Sequence, residues 1–497
     1  MHGSALDKKL QKYVGAYERP NAHKMSYQYL IVVCSFIVAV YAATHALIYK
    51  KDSRAAFGWI AVCIFLPLFG PLLYFIFGIN RVHKRARALA APFLDEALHQ
   101  QNSTISNELL KQIPGSLGKL QKVSHRITEL PLIGGNKMEI LYSGEQTYAE
   151  MLKAINEAKE YIYLCVYIFK GDKLGKQFAE ALIKAKNRDV EMYVLIDGIG
   201  ELYSWRKVRR KLTKHGVQVL RFLPPKLIPF NFSINLRNHR KLIVIDNELS
   251  FVGGMNISAE YFQKDESEKV SLKDIHFKIT GDLSQQLRHV FEIDWHFIGG
   301  KINTNTSRES RNSVSPTICR TIIDGPGENL DHLSIILLTA INSANHTIIL
   351  MTPYFLPNRE LISALQTAAL RGVTVTIILP GKNNLSYVHW ASRHMLWELL
   401  ENGVEIYYQP PPFSHSKLFV IDNQYSLIGS ANIDPRSLRL NYEVGVEVYE
   451  VDFANNLSSY AQSVLQTCRR VTLEEVDNRS LPIKIRDGIA WLFSPYL

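Results

Sequence analysis

Apolar positions along this chain follow two regimes. Near the N-terminus they run continuously: Tyr29–Tyr49 is uncharged and mostly apolar, and residues 55–79 form a second uncharged stretch richer in Leu, Ile and Phe. Either stretch can cross a hydrocarbon core of roughly 30 Å as a helix. Only residues 50–54 separate them, which predicts a tight hairpin, and Pro67, Gly70 and Pro71 predict a kinked or re-entrant second limb. From Ile133 onward the apolar runs shorten to strand length and alternate with helical stretches. Ala154-Ile155-Asn156-Glu157-Ala158 leads into an apolar strand at 161–169, a helix, and a strand at 190–196 that ends at Asp197-Gly198. The order then recurs: Ala340-Ile341-Asn342-Ser343-Ala344, a strand at 347–355, a helix, and a strand at 373–379 ending at Pro380-Gly381. Gly216-Val217 and Gly403-Val404 mark the next turn in each copy. A period of about 180 residues is too long for a solenoid, so the pattern predicts a duplicated α/β domain of βαβ units with a largely parallel sheet.

Each copy ends on the same phrase. His239-Arg240-Lys241 runs through four apolar residues to Asp246, and His415-Ser416-Lys417 runs through four to Asp422. Ten residues after each Asp stands an Asn, Asn256 in Gly253-Gly254-Met255-Asn256 and Asn432 in Gly429-Ser430-Ala431-Asn432. One His-x-Lys-x4-Asp is a weak signal; two with the same apolar strand and the same downstream Asn are a strong one. In a strand the His and Lys, two apart, share a face and converge on one ligand. If the two strand ends meet, two imidazoles, two ammonium groups and two amides surround a phosphate. One neutral His then attacks phosphorus and the other passes a proton to the leaving alcohol, while Lys241 and Lys417 hold the non-bridging oxygens. An attacking His needs a carboxylate behind its other ring nitrogen. The candidates are Asp274 in Lys273-Asp274-Ile275-His276 and Glu443 in Asn441-Tyr442-Glu443-Val444. Asp246 and Asp422 complete the catalytic set of the motif, and the work predicted for them is anchoring the following turn.

Charge and cysteine usage add modest constraints. The balance of 57 basic to 46 acidic residues, +11 overall, fits an anionic partner such as a membrane surface, a phospholipid headgroup or nucleic acid. Five scattered cysteines with no C-x-x-C predict neither a zinc site nor a disulfide framework. Lys8, Lys9, Lys12, Arg19 and Lys24 before the hairpin, with Arg81, Lys84, Arg85 and Arg87 after it, outweigh Lys50, Lys51 and Arg54 in its loop, which favours both ends in the cytoplasm. The first apolar segment starts late and lacks a small-residue cleavage site, against a signal peptide. The expected organisation is a leader at 1–28, the hairpin at 29–79, a connector at 80–132, a first half at 133–302, a Ser/Thr/Asn-rich linker at 303–317 and a second half at 318–497. Three surfaces suggest lipid contact: the apolar loop 224–236 with Phe230 and Phe232, the basic stretch 205–214, and the tail 484–497 with Trp491, Leu492 and Phe493.

The paired motif resembles the phospholipase D superfamily. The hairpin, Leu66-Pro67-Leu68-Phe69-Gly70-Pro71, Phe77-Gly78-Ile79-Asn80-Arg81, Thr352-Pro353-Tyr354-Phe355-Leu356-Pro357 and the ending Leu492-Phe493-Ser494-Pro495-Tyr496-Leu497 resemble bacterial cardiolipin synthases within it. That resemblance implies two α/β/α-sandwich halves forming one site behind a transmembrane helical hairpin. It implies transfer of a phosphatidyl group from one phosphatidylglycerol to another with release of glycerol, through a phosphatidyl-histidine and without nucleotide or metal cofactor. It also implies a multi-pass protein of the bacterial cytoplasmic membrane, whose partners are phosphatidylglycerol and the bilayer rather than nucleic acid. By analogy His239 is the covalent residue. Gly254 stands where the second copy has Ser430, a departure that leaves the role of Ser430 open. The rival readings are a membrane-anchored hydrolase, which differs only in admitting water, and a superfamily nuclease, which the hairpin disfavours. A binding protein with a dead site is disfavoured by the complete His, Lys and Asn sets.

Overall fold

The computed structural model describes residues 22–50, 53–79, 107–204, 207–225, 235–262, 272–302, 317–326 and 330–494. The leader up to residue 21, the basic cluster after the hairpin, Phe230 and Phe232, Arg206, the 303–316 linker and the last three residues lie outside them. Contacts divide the chain into two units, Met1–Arg81 and Val82–Leu497.

In the first unit the Ala22–Tyr49 helix contains Tyr29–Tyr49, long and apolar enough to cross a membrane. Leu30, Ile31, Val33, Phe36 and Ile37 point outward from it. The second apolar stretch is not one helix of spanning length. It breaks into Ser53–Phe65, a turn, Gly70–Leu73 and a π-helical turn at Tyr74–Gly78. Thirteen residues of helix reach only about 20 Å. The break is where Pro67 and Gly70 fall, and a side chain at Gly70 would sit 2.2 Å from Val62 O. The limbs pack through Ala42, Ala46, Cys63 and Tyr74, and His45 Nδ1 lies 2.8 Å from the Tyr74 hydroxyl.

The second unit is built on one fifteen-stranded sheet. The first half supplies β1 (Ile133–Leu141), β2 (Tyr161–Val166), β3 (Glu191–Asp197), β4 (Gln218–Phe222), β5 (Leu242–Ile245), β6 (Leu249–Gly253), the short β7 (Leu272–Lys273) and β8 (His276–Thr280). The second supplies β9 (Thr317–Asp324), β10 (Thr347–Met351), β11 (Thr374–Pro380), β12 (Glu405–Gln409), the short β13 (Phe413–Ser414), β14 (Leu418–Ile421), β15 (Tyr425–Gly429), β16 (Glu443–Tyr449) and β17 (Arg469–Val471). Across the sheet the order is β17-β12-β11-β10-β14-β15-β16-β9-β1-β8-β6-β5-β2-β3-β4. Each half thus reads the same way outward from the β1–β9 seam, with β17 as an extra edge strand.

The sheet is mixed rather than largely parallel. Among the described residues of this sheet only β2-β3-β4 and β10-β11-β12 run parallel, joined by helices as βαβ units. The motif strand enters antiparallel to β2 or β10 and turns straight back as a hairpin, β5–β6 or β14–β15. A three-residue connection leaves no room for the crossover that parallel pairing needs. Both faces of the sheet are covered, so the strands read as unbroken apolar runs. In β2, Tyr161, Tyr163 and Cys165 face a core shared by both halves, under the Leu283–Phe297 and Val451–Leu465 helices. Ile162, Leu164 and Val166 face the outer core under Gly144–Glu157 and Lys173–Lys186. In β14, Leu418 and Val420 face the shared core while Phe419 and Ile421 face the second half's outer core. The Gly118–Thr128 helix, in the stretch expected to be a connector, lends Leu120 to that outer core beside the His332–Ser343 helix.

Candidate active site

The two phrases meet because two short ladders cross the seam in front of the sheet. Asn238 bridges Tyr442 in parallel, with His239 N–H donating to Tyr442 O (2.9 Å) and Tyr442 N–H to Arg237 O (2.8 Å). In the other half β13 pairs β7 in parallel, and His415 N–H donates to Lys273 O (2.7 Å). Parallel pairing sets the next residues of both strands side by side. On one ladder those are His239 and Glu443, on the other His415 and Asp274. The orienting carboxylates are therefore exchanged between halves. His239 Nδ1 lies 2.9 Å from Glu443 Oε1, and His415 Nδ1 lies 3.0 Å from Asp274 Oδ2. With Nδ1–H donating to a carboxylate, each Nε2 is left with its lone pair. The sequence supplied both carboxylates but not the exchange, which depends on the ladders.

Both lysines fold back alike, each Nζ donating to the carbonyl of its own histidine at 2.6 Å. Lys417 Nζ also lies 3.0 and 3.2 Å from the two ring nitrogens of His415. All four groups are at most slightly exposed, and burial is the main cause of their titration. Burial pulls Lys241 down to about 7 and Lys417 to about 8. Burial and then the Lys417 charge pull His415 to about 3. His239 is also lowered by burial, against the upward pull of Glu443. Burial raises the Glu443 carboxyl, but His239, Lys241 and the Ser430 hydroxyl together bring it below its ordinary value.

The remaining motif residues separate into two places. Asp246 and Asp422 stand at the far ends of their strands, outside this centre. Asp246 accepts from Lys159, Glu160 and Tyr161 N–H at 2.8, 2.8 and 3.0 Å. Asp422 accepts from Asn345, His346 and Thr347 N–H, each at 2.8 Å. Each opens a hairpin turn with positive φ, 50° for both, followed by Asn247 or Asn423 at 56° and 53°. Asp and Asn tolerate that region best among residues with a side chain. The two asparagines are buried beside the turns that follow β6 and β15. Asn256 Oδ1 accepts from Ile168 N–H (3.1 Å), while Asn432 Nδ2 donates to Ser437 Oγ (3.2 Å) and its Oδ1 has no partner among the described residues.

Two sequence families match the chain. A family described as cardiolipin synthase, PLD-like domain, matches residues 151–295 and again 337–465, and a phospholipase D-nuclease N-terminal family matches 37–78. The major cardiolipin synthase of Bacillus subtilis is 31% identical over 466 residues, 90% of this chain and 95% of that protein. The chain belongs to the cardiolipin synthase family. Cardiolipin synthase 2 of Staphylococcus epidermidis is likewise 31% identical, over 94% of this chain and 98% of its own length. Among solved structures, the phosphatidylserine synthase of Haemophilus influenzae superposes with a TM-score of 0.60 at 16% identity, covering 76% of this chain and all of that one, a likeness of fold.

Around this centre stand several residues that the sequence reading missed or whose role it left open. Tyr167 and Tyr354 follow β2 and β10 and stand edge-on to the histidines, with ring centroids 5.3 Å from that of His239 and 6.2 Å from that of His415. Their place just beyond the carboxyl ends of parallel strands was the available signal. Ser430 Oγ donates to Glu443 Oε2 (2.5 Å) and Asn441 Nδ2 to Oε1 (3.2 Å). Gly254 holds the matching place in the first half because a Cβ there would lie 2.3 Å from Asp274 Oδ2. Arg240, the unspecified residue of His-x-Lys, is buried. It pairs with Asp294 and donates to Glu443 O (2.9 Å) and Asp324 O (3.2 Å), tying the first motif to the second half. Of the basic stretch 205–214, Arg209 is paired with Glu201 and Lys211 with Glu180.

Proposed function

We propose that the protein makes cardiolipin from two phosphatidylglycerols through a phosphatidyl-histidine. The observation that carries this reading is the exchange of carboxylates, which orients two histidines, one from each half, each with a lysine folded back onto its carbonyl. The donor phosphate draws both ammonium groups onto its non-bridging oxygens. Lys417 thereby leaves the His415 ring, and the new anion stabilises the imidazolium that forms when His415 takes a proton from water. The Nε2 lone pair of His239 attacks phosphorus, the P–O bond to glycerol breaks, and the departing oxygen takes the proton from His415 Nε2. After glycerol leaves, the hydroxyl of a second phosphatidylglycerol gives its proton to His415 and attacks phosphorus. The N–P bond breaks, cardiolipin is released and His239 is neutral again. Asn256 and Asn432 steady the turns beside this centre, and Asp246 and Asp422 support it only from the far ends of their strands.

The lipid is met at a bilayer. Tyr29–Tyr49 supplies one crossing, and the broken second limb supplies the return, giving a multi-pass anchor with the catalytic body on the cytoplasmic side. The test is product identity: purified protein given phosphatidylglycerol, without added metal or nucleotide, yields cardiolipin and glycerol in equal amounts. Phosphatidic acid as the main product would replace the transferase reading with the hydrolase one.

A further inference from the structure

The Leu481–Leu492 helix inverts the usual arrangement of a surface helix, which hides its apolar face and shows its charges. Here the buried side is ionic. Asp487 is fully buried and accepts from Arg393 Nε and Nη2 (both 2.8 Å), Arg479 Nη1 (2.7 Å) and Arg486 Nη2 (3.0 Å). The Arg486 guanidinium also lies 4.5 Å over the Trp390 ring, and the Trp491 ring lies 5.0 Å from that of His394. These contacts lock the helix onto Ser386–Glu401. Its outer side is apolar: Leu481, Ile485, Ile489, Leu492 and Phe493 are 53–69% exposed. At about 100° per residue they fill one arc of roughly 120°, with Lys484 beyond one edge and Arg486 beyond the other.

Each such side chain left in water forgoes the burial that drives apolar groups out of it. The helix cannot roll to hide them without breaking the Asp487 cluster. An apolar arc edged by basic residues is the pattern of a helix lying in a membrane interface. Anionic headgroups complement Lys484 and Arg486, and the same chain carries an apolar helix of spanning length. We propose that Leu481–Leu492 lies at the headgroup–acyl boundary of an anionic bilayer and holds the catalytic body against it. The inference rests on the reading that this chain works at a membrane. It also links anchor to site. The Ser386–Glu401 helix that carries the anchor begins beside Asn384, whose Oδ1 accepts from the Tyr354 hydroxyl (2.9 Å), and Tyr354 flanks His415.

The test uses the full chain with Cys34 and Cys468 changed to Ser, in bilayers of phosphatidylcholine with and without phosphatidylglycerol. An environment-sensitive fluorophore is placed on I485C, on I489C, or on S363C as a control on another exposed helix. Blue-shifted emission and quenching by spin-labelled lipid at 485 and 489, strengthened by phosphatidylglycerol and absent at 363, is the expected result. An I485D/I489D variant should raise KM for bilayer phosphatidylglycerol about tenfold and leave turnover of a short-chain substrate in micelles unchanged. Labels open to aqueous iodide in the bilayer would overturn the proposal. So would labels shielded from both iodide and lipid quencher, which would put protein over this face. Cardiolipin formation in the same samples judges the activity separately. Product with a water-exposed helix sinks only the anchor, and a lipid-quenched helix without product sinks only the enzymatic reading.

Discussion

The two halves share a strand order and a motif, yet they hold their histidines differently. Glu443, behind His239, is fixed by Ser430 and Asn441, and its own carbonyl is held by Arg240. Asp274, behind His415, is one methylene shorter and lies against Gly254, with its other oxygen accepting from Ile275 N–H (2.8 Å). Beside it the first half has buried His276, whose ring nitrogens have no partner among the described residues, where the second half has Gly445. Lys417 crowds the His415 ring, whereas Lys241 lies 5.6 Å over Tyr167. The two halves thus carry equal sets of groups in unequal surroundings: three hydrogen bonds fix the Glu443 residue behind His239, while Lys417 lies against the ring of His415. That difference suits a nucleophile and a proton carrier.

The comparison breaks most directly at the histidines. His239→Ala and His415→Ala should each lower kcat by about 10⁴-fold or more, since residues that act as a unit fail together. Only one loss should abolish a trapped phosphatidyl-protein. With radiolabelled phosphatidylglycerol and acid quenching, label retained by the His415 variant and missing from the His239 variant supports the assignment made above; the reverse pattern would exchange the two roles. Next come the carboxylates. Glu443→Gln and Asp274→Asn keep the shapes but let the imidazole adopt the wrong tautomer, a change expected to cost about 10³–10⁴-fold. Because the carboxylates are exchanged, Glu443→Gln should alter the NMR titration of His239 and leave that of His415 nearly untouched.

Smaller effects sharpen the asymmetry. Ser430→Ala removes one hydrogen bond to a charged group, worth about 1.5–3 kcal/mol, so kcat should fall roughly 10–100-fold with KM little changed. Gly254→Ser would make the two turns chemically alike, but its Cβ collides with the Asp274 carboxylate. It should therefore damage the site rather than restore symmetry. The lysines set a basic limb. Both are pulled far below the ordinary lysine range, so their charges are present below about pH 7 and lost as pH rises through about 7 to 8. The profile of kcat/KM should fall over that window. A Lys241→Arg variant, which cannot lose its charge, should retain only the later loss near 8.

How far the sequence carries depends on the range of the interactions involved. The repeat, the motif strands and the identities of Asp274 and Glu443 are local patterns and could be read directly. Mixed sheet direction could not, because the apolar runs of β5 and β14 are buried on both faces and look alike in either orientation. The exchange of carboxylates hangs on Asn238–Tyr442 and β7–β13 pairings across roughly 140–200 residues of chain, with nothing in the local pattern to announce them. Arg240 went unmarked in the sequence because its partners Asp294 and Glu443 O come from distant elements. The broken second limb of the membrane unit was signalled by Pro67 and Gly70, whose effects are local.

The smallest expected effect on catalysis concerns the last residue of the motif itself. Asp246 and Asp422 each accept three backbone N–H bonds at the start of β2 or β10, at the opposite end of the strand from the histidines. Replacing either by Ala removes charge-assisted bonds at a half-exposed turn and should cost about 1–3 kcal/mol of stability. Thermal unfolding would show it as a lowered Tm, while kcat of the protein that remains folded should stay within about threefold of the parent, since a loss of 1.4 kcal/mol at the transition state would already be tenfold. Asn at either position retains two of the three acceptor contacts and tolerates the positive φ, so it should recover much of the Tm. A large fall in kcat at unchanged Tm would instead return these carboxylates to the catalytic centre, and would mean that the two motifs act along their whole length rather than at their histidine ends.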